Sequence, residues 1–126
     1  MRGEVTYSIG RIDHVNIQIP VGGEIEAEHF WMGILGFGNR PKPERLAVQG
    51  GRWFVQDQFE IHVSPNAEFQ PSTESHIAMR VSGLGELVQA LESEGFHPVP
   101  TTGLAAGETR YFVNDPFGNR LELISS

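Results

Sequence analysis

The chain contains the same unit twice, and that repetition limits its folds more than any other feature. "DHVNI" at 13–17 is answered by "SHIAM" at 75–79, and a helical stretch closing on "LGF" at 35–37 by one closing on "EGF" at 94–96. "RWFV" at 52–55 is answered by "RYFV" at 110–113, and "EIHV" at 60–63 by "RLEL" at 120–123. Each copy reads as a strand, a helix and three further strands in roughly fifty residues, a length characteristic of repeat units. One such unit is small for an independent core. The expectation is therefore a single α+β domain over 1–126, built from a first βαβββ module at 1–66 and a second at 75–126, with the boundary in "SPNAEFQPST".

Local patterns fill in the units. Residues 12–19 alternate, with Val15, Ile17 and Ile19 on one face and Ile12, His14, Asn16 and Gln18 on the other, which predicts a half-buried strand. A helix is expected over 24–35, closed by "GFG". "RPKP" forbids regular structure, and 45–49, 52–56 and 59–64 read as three short strands. In the second unit, 76–81 is a strand, and Leu84, Leu87, Val88 and Leu91 form an apolar helical stripe stopped at Gly95. "HPVP" reads as a short strand, "TTGLAAG" as a loop, and 110–113 and 120–125 as the last two strands. "NDPFGN" at 114–119 is a turn, since Pro116 and Gly118 fit turn chemistry.

Composition removes several function classes. The net charge is -7 and Lys42 is the only lysine, so no basic stripe exists to neutralise phosphates or an anionic membrane surface. The absence of cysteine rules out disulfides, thiolate metal sites and cysteine nucleophiles. Any metal must be held by His, Asp or Glu. No stretch approaches the roughly 18 apolar residues that span a bilayer, and "MRGEVTYSIG" has no apolar signal core, so a cytoplasmic location is expected.

The repeat also collects the unusual residues into one set. His14 and His76 occupy matching places on the first strand of each unit, and His62 in "IHV" matches Glu122 in "LEL". A carboxylate between Leu121 and Leu123 is costly to bury without a partner, and three histidines in matching register supply candidates. Imidazole and carboxylate together suit Zn, Ni, Fe, Co or Mn. His14, His76 and Glu122 make a two-histidine, one-carboxylate set. His62 is either a fourth ligand or an acid or base titrating near neutrality. Strand parity adds Asn16, Gln18, Phe54, Gln56, Glu60, Ala78, Arg80, Arg110, Phe112 and Arg120 to the same face. Phe54, Arg80, Arg110, Phe112 and Arg120 are the pocket candidates; the arginines suit bidentate carboxylate or phosphate recognition, or simply balance an acidic surface. His29, His97, Trp31 and Trp53 are expected to be structural, exposed or at an interface.

The duplicated unit, the two opening strands and above all "YFVNDPFGNRLEL" resemble the vicinal oxygen chelate superfamily, the glyoxalase, bleomycin-resistance and extradiol-dioxygenase group. The resemblance covers nearly the whole chain. It implies two tandem modules curled into an open, barrel-like cup, with a divalent metal on the first and last strands of each module. Carried onto this chain, those positions are His14, His62, His76 and Glu122, with Glu122 and His62 as the catalytic pair. It further implies a small substrate that chelates through oxygens, and a homodimer in many members. Glyoxalase I-like enzymes have a glutamate where this chain has His62. Fosfomycin-resistance-like and extradiol-dioxygenase-like enzymes use a His, His, Glu set, and bleomycin-binding relatives are metal-free. A glyoxalase-like lyase or isomerase is the first expectation. A dioxygenase-like or fosfomycin-resistance-like enzyme and a metal-free binding protein are the alternatives.

Overall fold

The computed structural model describes residues 3–102 and 105–126; Gly103 and Leu104, in the expected loop at 101–107, lie outside the described residues. Two four-stranded mixed sheets have the same strand order. In the first, β1 (His14–Ile19) runs parallel to β4 (Glu60–Pro65), which pairs antiparallel with β3 (Arg52–Val55), and β3 with β2 (Gly38–Arg40). In the second, β5 (Ile77–Val81) runs parallel to β8 (Arg120–Ser125), followed by β7 (Arg110–Asn114) and β6 (Val99–Thr101). The sheets stay open and cup-like, and the α+β architecture expected from the repeat is the one found. A parallel β1–β4 pair needs a long crossover connection, and the intervening helix and strands of each copy supply it.

Apolar faces explain how the sheets and helices pack. Helix α1 (Glu24–Glu28) continues as a π-helical stretch, His29–Ile34, and buries Ala27, Phe30 and Trp31. Helix α3 (Leu84–Ser93) buries Leu84, Val88 and Leu91, one stripe at helical spacing. These residues join Ile19, Phe54, Ile61, Val63, Val113, Leu121 and Leu123 in a single core shared by both modules. Each fully buried Leu, Ile or Phe contributes about 1.5–3 kcal/mol. Between modules, Phe30 lies 5.1 Å from Phe96, and His29 Nε2 meets Glu94 Oε1 at 2.8 Å. With the apolar faces turned inward, His14, Asn16 and Gln18 on β1 and Ala78 and Arg80 on β5 are exposed on the opposite faces. No described helix is long and apolar enough to cross a membrane.

Two expectations need correction. Residues 45–49 are not a strand: Glu44–Ala47 is a short helix, α2, and the missing strand is β2, Gly38–Arg40. Pro43, at φ -56°, starts the helical turn, and its carbonyl accepts from Leu46 N and Ala47 N. Strand β2 is an exposed edge of three residues with no apolar alternation to mark it. The short strand expected at "HPVP" lies slightly later, at Val99–Thr101.

The turn between β7 and β8 is a structural knot, in keeping with the turn read from "NDPFGN". The buried Asp115 side chain accepts from Phe117 N at 2.9 Å, Asn119 N at 2.8 Å and Asn119 Nδ2 at 2.9 Å. Asn119 Nδ2 also donates to the Gln18 carbonyl at 3.0 Å, and Asn119 Oδ1 accepts from Ser72 N at 2.9 Å. One asparagine thus ties the last hairpin to β1 of the other module.

Candidate functional site

The β1–β4 register places Asn16 beside His62, and the β5–β8 register places Ala78 beside Glu122. Counting two residues back along β1 and the start of β5 reaches His14 and His76. The four candidate ligands therefore occupy equivalent positions on the two sheets.

In the first module the His14 and His62 rings stack at 4.0 Å with planes 9° apart, and Trp53 stacks on His62 at 4.6 Å. His14 Nδ1 also meets Asp13 Oδ2 at 2.8 Å. His62 Nε2 lies 2.9 Å from Glu60 Oε1, and the other Glu60 oxygen accepts from Arg40. In the second module His76 Nε2 lies 3.1 Å from Glu122 Oε1, while Arg110 donates to Glu122 Oε2 at 2.5 Å. Arg110 is also bound to Glu108 at 2.8 Å. Each module therefore holds an Arg–Glu–His chain on its polar face, and neither carboxylate is buried without a partner.

These partners set the charge of both carboxylates. His62 and Arg40 hold Glu60 below its ordinary value of 4.5, with burial acting against them. Arg110, then His76, do the same for Glu122. A depressed folded-state pKa stabilises the fold fully above the unfolded value and loses that stabilisation as pH falls through the folded value. Melting temperatures are therefore expected to drop below pH 4.5, and to drop less steeply in Glu60→Gln than in the parent chain. Equal slopes would refute the role of Glu60.

The remaining candidates divide. Phe112 pairs with Glu122 across β7–β8, packs edge-on to His76 at 5.5 Å, and carries Arg120 over its ring at 4.6 Å. Arg80 is exposed and reaches the Ser125 carbonyl at 3.3 Å and Glu108 at 3.5 Å. Arg110 is engaged by two carboxylates. Phe54 is the exception: it pairs with Ile61, is fully buried, and belongs to the core. The aromatic beside His62 is Trp53. The reason lies in the hairpins: residues 56–59 join β3 to β4, whereas the longer 115–119 joins β7 to β8. One residue of difference flips which face a strand residue takes, so "RWFV" and "RYFV" match in sequence and differ by one in space. Trp53 and Glu60 are the site residues that sequence reasoning undervalued. The alternation of Glu60 with His62 was the available signal for one, and loop length for the other.

Three imidazoles and a carboxylate fit a divalent ion by donor chemistry. Within the chain they come as two pairs, and among the described residues no three His, Asp or Glu side chains form a metal-sized group.

The family model for the "Glyoxalase/Bleomycin resistance protein/Dioxygenase superfamily" matches residues 11–123. Among solved structures, a glyoxalase family protein from Bacillus anthracis is 35% identical, with a TM-score of 0.88, covering 97% of this chain and 99% of that one. A fosfomycin resistance protein, FosX, from Listeria monocytogenes is 13% identical with a TM-score of 0.77, covering 94% and 95% of the two chains. A glyoxalase/dioxygenase from Nostoc punctiforme is 14% identical with a TM-score of 0.74, covering 98% and 99%. The last two are likenesses of fold alone. No curated protein matches the chain.

Proposed function

The chain belongs to the glyoxalase/bleomycin resistance protein/dioxygenase superfamily, and from that premise we propose that it is a divalent-metal-dependent enzyme of glyoxalase-like type, a lyase or isomerase acting on a small substrate that chelates through its oxygens. The observation that carries this reading is the pairing of His14 with His62 and of His76 with Glu122 at equivalent positions of two sheets. The proposed working form is a homodimer in which the first polar face of one copy meets the second polar face of the other. His14 and His62 of one copy and His76 and Glu122 of the other then make one composite site.

In this reading His14, His76 and Glu122 would hold the ion, which when bound would stabilise negative charge on a substrate oxygen. His62 handles the proton. With Glu60 accepting from its Nε2–H, the neutral ring keeps Nδ1 as the base, a tautomer assigned from the hydrogen-bond geometry. Trp53 and His14 hold the imidazole on its two sides of contact, and Phe112 walls the other polar face. Arg80 and Arg120 are exposed and face charged parts of the substrate. A dioxygenase-like or fosfomycin-resistance-like reaction would draw on the same residues.

Subunit complementation tests the arrangement. His14→Ala and Glu122→Gln homodimers should each retain little metal after purification without chelator. A heterodimer of the two variants carries both lesions in one composite site and none in the other, so it should recover roughly half of the parent content. No recovery would overturn the shared site. A second reading is favoured by one observation: both Glu122 oxygens are already engaged, by His76 and Arg110. A metal-free binding protein needs nothing more, and a parent chain that retains no metal yet binds a small molecule would select it.

A further inference from the structure

A groove lined by Trp53 gathers cations from β2, β3 and the chain between them. It has a volume of about 480 Å³ and is lined by Arg40, Lys42, Arg52 and Trp53 from the strands and loop, with Glu28 and Met32 from the helical segment. In a chain of net charge -7, it holds the only lysine and two arginines. The Arg40 guanidinium carbon lies 5.7 Å and the Lys42 ammonium 5.9 Å from the centroid of the same indole. Two like charges over one ring repel, and the ring's attraction offsets only part of that cost.

The carboxylates present hold the arginines in place. Glu60 binds Arg40 and Glu28 binds Arg52. Lys42 donates to the carbonyl of Gly50, and with Arg52 it lies in the field of the Glu24 carboxylate, which accepts from Gly51 N at 2.8 Å. The backbone closes in beside it: Gly51 sits at φ +87°, and a Cβ there would overlap the Val63 carbonyl oxygen, so only glycine brings the chain this near β4. Lys42 thus adds its charge to a groove that Trp53 and the Arg40 and Arg52 guanidinium groups also line.

The geometry points to a binding site for a small molecule bearing a carboxylate or phosphate, its anion set among Lys42, Arg40 and Arg52 and its body against Trp53. Guanidinium groups receive such anions through paired hydrogen bonds, and the ammonium adds a compact charge. Because Trp53 also stacks on His62, a molecule held there reaches toward the candidate proton-transfer histidine. This link to the reaction rests on the reading proposed above and makes the groove the seat of the substrate's anionic end.

The test uses the full chain and two probes, inorganic phosphate and benzoate, followed through the indole N–H signal of Trp53 by NMR, assigned with Trp53→Phe. A saturable shift with either probe is expected, weakened roughly tenfold or more in Lys42→Met. Lys42→Arg should retain binding, and Arg45→Met, an exposed cation outside the groove, should leave it unchanged. No saturable shift with either probe, or equal affinity in Lys42→Met, would overturn the inference. Metal content is measured on the same samples. Loss of anion binding with metal retained removes only the groove, whereas anion binding without metal removes the metal site.

Discussion

A Glu122→Gln chain is expected to bind the proposed divalent ion at least about a hundredfold more weakly than the parent while keeping its fold. Removing outer partners of metal ligands already costs ten- to a hundredfold, and here the only carboxylate of the set goes. The amide is nearly isosteric but carries no charge, and one end of it turns a donor toward either Arg110 or His76. Arg110 still has Glu108 at 2.8 Å, so the guanidinium is not stranded. Folding should therefore survive, and the loss should appear in metal titration rather than in circular dichroism. Full metal affinity in this variant would place the ion elsewhere and dismantle the proposed site.

Asp115→Ala should have the largest effect on stability, a loss of about 2–4 kcal/mol, because three donors in a buried turn lose their acceptor together. Denaturant unfolding would report it as a lower midpoint at unchanged slope. The effect also has a pH signature. Burial pushes the Asp115 carboxyl above its ordinary value of 3.8, despite the hydrogen bonds from Asn119, Phe117 and Gly118 that act the other way. A raised carboxyl pKa means that ionisation costs the folded state something, so the stability owed to this group is complete below 3.8 and declines as pH rises through the raised value. The gap between parent and variant is expected to narrow over that range. A gap that widens would show that the ionised form is the preferred one.

Much of this architecture could be read from the residues. Alternation in 12–19 and 76–81 is a local property of extended backbone, and the stripe Leu84, Val88, Leu91 is local to one helix. The identical strand order of the two sheets follows from the repeat. Strand β2 escaped because an exposed three-residue edge buries nothing, and α2 escaped because its turn depends on Pro43. The π-helical stretch at His29–Ile34 escaped for a related reason: a helical pattern does not distinguish hydrogen bonds to i+4 from those to i+5.

For the candidate site, the sequence by itself determined which residue types stand at equivalent positions: His14 with His76, and His62 with Glu122. Duplication preserves register along a strand, so that much is a property of order. Only the tertiary structure decided what surrounds them. Face choice across a hairpin depends on the number of residues in the turn, which put Trp53 beside His62 and sent Phe54 into the core. Side-chain pairing across strands turned Glu60 and Arg40, and likewise Arg110, into partners of the histidines and the glutamate. Burial of apolar surface from both modules in one core left His14 with His62 on one polar face and His76 with Glu122 on the other, because that burial is the dominant favourable term in packing the sheets and helices together.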